Sequence, residues 1–204
     1  MKKALIFALG LLMLSCAPKG DTAAETASFD QLIHMRRSVR DFDSTKTVSE
    51  ADVRSIIAAA QEAPSWTNSQ PSRYYVALSK EKADAVREVI GDWNRKNTEG
   101  APVFIVSTFV RGLSGFRRDG EPANEVGEGW GAYDTGLSDA LLILKARSMG
   151  YDTLIMGGRD ADAIRRIFDI PEQETIMAVI ALGCRASDPQ RPARKPLDEI
   201  LTIF

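Results

Sequence analysis

Two apolar runs of strand length, at residues 103–110 and 175–184, place the strongest limit on the fold of this 204-residue chain. Unbroken runs rich in valine and isoleucine are typical of buried β-strands. Shorter strands are predicted at residues 73–78 and 151–156. Apolar residues at helical spacing lie at residues 29–37, 49–63, 80–93, 130–150 and 159–170. Because two helices precede the first strand, we predict an α+β fold with helices around a mixed sheet; an α/β fold with a mixed sheet is the alternative.

The first 28 residues carry a separate prediction. A short basic start precedes an apolar run at residues 4–14, which is too short for a membrane-spanning helix of roughly 20 residues. Its length and flanks are typical of a secretory signal, and the following Cys16 resembles the lipidated cysteine of bacterial lipoproteins. We therefore predict a signal peptide at residues 1–15, lipidation of Cys16, a flexible tether at 16–28 and one domain at 29–204. This predicts a lipid-anchored location in the bacterial cell envelope, facing the periplasm or the surface; a plain cleaved signal and an uncleaved anchor remain alternatives.

Charge and residue counts exclude several classes of function. The net charge is −2, without the basic excess that nucleic-acid binding usually needs, so no nucleic-acid partner is expected. His34 is the only histidine, which excludes a multi-histidine metal site and argues against a Ser-His-Asp hydrolase. No metal is predicted.

Basic residues are concentrated near the two ends of the predicted domain. The first group is Arg36, Arg37, Ser38 and Arg40, and the second is Arg191, Arg194 and Lys195. The planar guanidinium of arginine suits a phosphate, and serine adds a hydroxyl donor. If the two groups meet in space they form one phosphate site; the alternative for each is a solvated charged face.

Four motifs occur in an order and spacing that resemble the FMN-dependent nitroreductase family over residues 29–204. They are RRSVRDF, then APSWTNSQP, then GG followed by IPEQETIMAVIALG, and finally RPARKPLDEI. The resemblance implies an α+β homodimer with FMN bound at the interface. It places the FMN phosphate on Arg36 and Ser38, with Arg194 or Lys195 closing over it, and sets Arg40 near the pyrimidine edge of the flavin.

The resemblance assigns further flavin contacts to four segments. They are the backbone of Arg37; a loop with Pro64, Ser65, Trp66 and Asn68 that reaches the flavin from the other subunit; Asn94 at the pyrimidine ring; and Ile155, Met156 and Gly157 across the ring. Asn97 stands where some members have lysine, which implies less positive charge near the flavin. The long loop at residues 112–129 either caps the pocket or lies at the surface.

The implied activity is ping-pong hydride transfer from NAD(P)H, through FMN, to nitroaromatics, quinones or similar electron-poor acceptors. No side chain is predicted to be catalytic beyond the flavin contacts. NAD(P)H is expected to be scarce outside the cytoplasm, which conflicts with an envelope location. Two alternatives therefore stay open: an envelope flavoprotein that takes electrons from a membrane or protein partner, and a lipoprotein that binds flavin or another ligand without turnover.

Overall fold

The computed structural model describes residues 27–204. The predicted signal peptide, Cys16 and most of the predicted tether lie outside the described residues.

One antiparallel sheet of four strands forms the centre of the fold. The strands are β1 (Ser72–Ala77), β2 (Val103–Val110), β3 (Asp152–Met156) and β4 (Glu174–Gly183), in the spatial order β1-β2-β4-β3. The two apolar runs, β2 and β4, occupy the middle, where both faces of the sheet are covered. Within residues 27–204, an isolated bridge between Ser38 and Thr153 is parallel, and it is this bridge that makes the sheet mixed.

Helices cover both faces of the sheet. They are α1 (Phe29–Met35), α2 (Glu50–Gln61), α3 (Lys80–Glu88), α4 (Asp92–Lys96), α5 (Gly129–Ser148) and α6 (Ala161–Phe168). Because successive strand residues point to opposite faces, Ile105 and Ile180 pack with the cluster that includes residues of α2 and α5. Their neighbours Phe104 and Val179 pack on the other face with residues of α3 and α6. The predicted α+β class is confirmed.

The predicted helix at residues 80–93 is two helices in the structure. Helix α3 ends at Glu88, and Gly91 adopts a φ of 76° before α4 begins. This left-handed conformation suits glycine, which has no Cβ to clash with the backbone. The break turns α4 back toward the end of β3.

The chain returns to its own beginning after β4. The Asp43 N–H donates to the carbonyl of Cys184 at 2.9 Å, and the Ala186 N–H donates to the carbonyl of Asp41 at 2.9 Å. The segment just before Asp41 lies against β3, where the Val39 N–H donates to the carbonyl of Thr153 at 3.0 Å. The two basic groups of the sequence are thereby brought to one end of the sheet.

Candidate functional site

An open strip along β3 forms the centre of the candidate site. Ser38 bridges to Thr153 at the start of the strand. Further along, Ile155 is 46% exposed although Leu154 and Met156 on either side are buried. Gly157 follows the strand, and no atom lies within 4 Å of the position that a Cβ would take there. The strip therefore presents one apolar side chain and open backbone to whatever lies above it; the buried side chain of predicted site residue Met156 points away from it.

Arginines from the two ends of the domain meet beside this strip. The pKa of Arg36 is lowered, first by burial and then by the positive charges of Arg194 and Arg37. Nearby, Arg191 Nη1 lies 2.9 Å from His34 Nδ1. We call Arg36, Arg37, Ser38 and Arg194 the arginine cluster. The structure thus brings Arg36 and Arg194 together, as the sequence predicts, whereas Lys195 Nζ lies 3.6 Å from Glu199 Oε2.

Arg37 and Arg40 differ from Arg36 in what they contact. Arg37 Nη1 donates to the carbonyls of His34 at 2.5 Å and Arg36 at 3.0 Å, so this side chain holds the local backbone. Arg40 is exposed and donates to the carbonyl of Ser38 at 3.3 Å. The two arginines therefore cannot be treated as equal members of one charge group.

Lys96 is a cation that the sequence prediction did not include. It lines a cavity of about 300 Å³ together with Arg40, Glu99 and Gly100. The signal was present, because Lys96 is next to Asn97, where a lysine of the family was judged missing. The single predicted helix at residues 80–93 concealed it, since α4 and its direction were not foreseen.

Asn94 lies at the far end of the strip. Its Nδ2 donates to the carbonyls of Ile90 at 3.0 Å and Gly158 at 2.8 Å. Both amide hydrogens are therefore directed to backbone, which fixes α4 against the segment after β3. The Oδ1 atom of Asn94 is the part of this side chain left to accept a hydrogen bond from a ligand.

The loop at residues 64–70 lies apart from the arginine cluster. The Ser65 Oγ accepts a hydrogen bond from the Gln70 N–H at 3.0 Å, and the Trp66 N–H donates to Asp134 Oδ2 at 3.0 Å. Pro64 and Ser65 line a cavity of about 370 Å³ on this side. Among residues 27–204 of one chain, no hydrogen bond, ion pair or ring contact joins this loop, including Asn68, to the arginine cluster.

A buried chain of hydroxyl and carboxyl groups crosses the core behind this loop. Tyr74 OH donates to Ser138 Oγ at 2.8 Å and lies 3.1 Å from Asp139 Oδ1, while Ser107 Oγ donates to Asp139 Oδ2 at 2.9 Å. Burial raises the pKa of Asp139 to about 6, and the hydrogen bonds from Ser107 and Tyr74 limit the rise. Burial and the Asp139 carboxylate also raise the pKa of Tyr74, so its phenol stays protonated.

Asp139 should make the stability of the domain depend on pH. Its folded pKa of about 6 lies above its ordinary value of 3.8, so the native state holds the proton over a range where the unfolded chain has released it. We expect the unfolding free energy, relative to that of Asp139→Asn, to be highest below pH 4 and to fall by ~3 kcal/mol as the pH rises through 6. Urea unfolding of both proteins between pH 4 and pH 7 measures this difference. Parallel pH profiles for parent and variant would contradict the assignment.

Metal chemistry finds no ligand set in this part of the chain. Within residues 27–204, no group of three or more histidine, cysteine, aspartate or glutamate side chains is placed to hold a metal ion.

Comparison with known proteins identifies the fold and its relatives. The model of the Nitroreductase family matches residues 33–108 and 89–184. MhqN of Bacillus subtilis, assigned by name as an NAD(P)H nitroreductase, is 26% identical over 86% of this chain and 98% of its own length. A protein of Thermus thermophilus named NADH dehydrogenase is 26% identical over 81% of this chain and 91% of its own.

A solved structure shares the same fold. It is a nitroreductase-type protein from Exiguobacterium sibiricum in complex with FMN, with a TM-score of 0.78 and 22% sequence identity. The match covers 90% of this chain and 100% of the other.

The predicted lipid-anchored location in the cell envelope is wrong on these comparisons. The relatives that match most of this chain are assigned NAD(P)H- or NADH-linked activities by name, and the sequence had already set an envelope location against a nicotinamide donor. That conflict is decided against the envelope. Within the described residues, no helix has both the length and the apolar character needed to cross a bilayer.

Proposed function

Since the chain belongs to the Nitroreductase family, we propose that it is an FMN-dependent oxidoreductase that uses NAD(P)H to reduce small electron-poor acceptors such as nitroaromatics and quinones. One observation carries this proposal: Arg36 and Arg194, from opposite ends of the domain, meet next to the open strip on β3. Guanidinium groups bind phosphate through charge-assisted hydrogen bonds, so the pair suits the phosphate of a flavin nucleotide.

The residues along β3 fit an FMN molecule with its phosphate at the arginine cluster. Two like charges lower the pKa of Arg36, and a phosphate would neutralise that excess. Ile155 offers an exposed apolar surface, and the open backbone at Gly157 permits close approach of a flat ring. When bound, FMN would supply the hydride and electron chemistry, receiving from NAD(P)H and giving to the acceptor in turn. Ser38 would add a hydroxyl donor beside the phosphate.

Arg40 and Lys96 would set the electrostatics of the other end of the site. Both line the same cavity, which also includes Glu99. A positive charge near the pyrimidine edge stabilises the negative charge that reduction places there. Lys96 would thus supply the charge that Asn97 lacks. Asn94 Oδ1 would accept from a ring N–H, since both hydrogens of its amide already bond to backbone.

We propose a homodimer in which loop 64–70 of one subunit meets the FMN of the other. The absence of bonds between this loop and the arginine cluster within residues 27–204 supports that arrangement. Apolar side chains left exposed by one chain also support it; they are Phe29, Ile33, Leu197, Ile200, Ile203 and Phe204. A second subunit would remove these side chains from water.

Anaerobic reduction of the FMN-loaded protein tests the proposed activity. We expect the visible flavin absorbance to bleach within seconds on addition of NADH or NADPH, and to return when a quinone or a nitroaromatic is added. Free FMN at the same concentration is the control, because it reacts slowly with NAD(P)H without a protein to orient the pair. A protein that binds FMN yet stays coloured with both donors would contradict the use of NAD(P)H.

A further inference from the structure

Asp134 is a buried carboxylate on α5 that joins two loops. It is 3% exposed. Its Oδ2 accepts hydrogen bonds from the Trp66 N–H at 3.0 Å and from Ser114 Oγ at 2.7 Å. Trp66 belongs to loop 64–70 and Ser114 to loop 112–129, so a single oxygen atom anchors both. Bonds to an ionised carboxylate are about twice as strong as neutral ones.

A second bond ties the same two loops to each other. Ser69 Oγ lies 2.7 Å from Ser114 Oγ. A hydroxyl has one hydrogen, and that of Ser114 is directed to Asp134, so Ser69 is the donor in this pair. The hydrogen bonds therefore run from Ser69 through Ser114 to Asp134.

The backbone of loop 64–70 needs such an anchor. Thr67, Asn68 and Gln70 have φ values of 46°, 58° and 48°. This left-handed region is unfavourable for residues other than glycine, most of all for a β-branched threonine. Three such residues within four positions persist only where surrounding contacts impose them.

The ring of Trp66 is held as firmly as its backbone. It packs against Trp130 with ring centroids 4.9 Å apart. The Trp130 Nε1–H in turn donates to Asn124 Oδ1 at 2.9 Å, which places the indole under loop 112–129. Backbone and side chain of Trp66 are thus both tied to α5 and its preceding loop.

We infer that Asp134 is a positioning residue: its carboxylate holds loop 64–70 in the one conformation that presents Ser65 and Trp66 to the flavin, and keeps loop 112–129 in register with it. The role of the loop at the flavin rests on the proposed function. The anchoring by Asp134 does not, because it stands on the contacts within one chain.

Asp134→Asn tests the inference, with Asp139→Asn as the matched control. Asp139 is on the same helix and equally buried, but it bonds to Ser107 and Tyr74 and not to either loop. Ser114→Ala is a second variant that removes one bond to Asp134 and leaves its charge. Hydrogen exchange of the full chain reports the opening of residues 64–70, and titration with FMN reports the flavin site.

We expect amides in loop 64–70 to exchange about tenfold faster in Asp134→Asn, and FMN to bind about tenfold more weakly. Ser114→Ala should give smaller changes in the same direction, and Asp139→Asn should leave the exchange of the loop unchanged. Equal exchange in the Asp134 and Asp139 variants would overturn the anchoring. Faster exchange with unaltered FMN affinity would overturn the positioning role. If the parent binds no FMN, the proposed function fails, and the exchange data still decide whether Asp134 holds the loop.

Discussion

Replacing Arg36 with alanine is expected to raise the dissociation constant for FMN about 10- to 150-fold. A hydrogen bond to a charged group contributes ~1.5–3 kcal/mol, and each 1.4 kcal/mol is a factor of about ten in binding. Arg36 is the half-buried member of the arginine cluster, so its charge is less screened by water than that of exposed Arg194. Fluorescence titration of the apo-protein with FMN measures the change.

Riboflavin provides the control for this prediction, because it has the ring and the ribityl chain but no phosphate. Arg36→Ala should bind riboflavin as well as the parent does. The variant should also be no less stable without ligand, since the substitution removes the repulsion between Arg36 and Arg194. An equal loss of affinity for FMN and riboflavin would mean that Arg36 acts on the ring or on the fold, and unchanged FMN affinity would remove the phosphate site altogether.

The sequence predicts the centre of this fold better than its edges. The run at residues 103–110 coincides with β2, because a strand covered on both faces is apolar at every position and needs no periodicity to be recognised. The helix at residues 80–93 was predicted as one element, and Gly91 divides it. A lone glycine within a helical pattern is often tolerated, so its left-handed conformation became evident only in the structure.

The candidate site divides in the same way. The meeting of Arg36 and Arg194 could be predicted, since crowded like charges at both ends of a domain indicate a shared anion. Asp134 could not, because its partner Trp66 is 68 positions away and a lone aspartate in a helix carries no sign of burial. Lys96 was missed for a third reason, since its place at the site depends on where α4 begins.

A second large effect is expected at Asp152, the first residue of β3. Its side chain is 1% exposed and is bound by two arginines. Arg185 contacts it through Nε at 2.7 Å and Nη2 at 2.5 Å, and Arg147 Nη1 lies 3.1–3.2 Å from both carboxylate oxygens. The pKa of Arg185 is raised, first by its hydrogen bond to Asp152.

Asp152→Ala should lower the free energy of unfolding by ~3–5 kcal/mol, because it leaves two largely buried guanidinium groups without their main counter-charge. Arg185 retains an ion pair with Asp188, which places the expected value toward the lower end of this range. Urea unfolding of the apo-protein at one fixed protein concentration is the measurement, since ligand binding and dimer formation would both shift the midpoint.

Asp84→Ala is the matched control for Asp152→Ala. Asp84 also binds two basic side chains, Lys80 and Arg87, each at 2.5 Å, but its own side chain is 45% exposed. Water screens such a pair, and Arg87 keeps its bond to the carbonyl of Ala101 at 2.9 Å. We therefore expect a loss of less than ~1 kcal/mol. Similar losses in the two variants would show that burial does not set the strength of the Asp152 contacts, and that the arginines relax toward solvent once the carboxylate is removed.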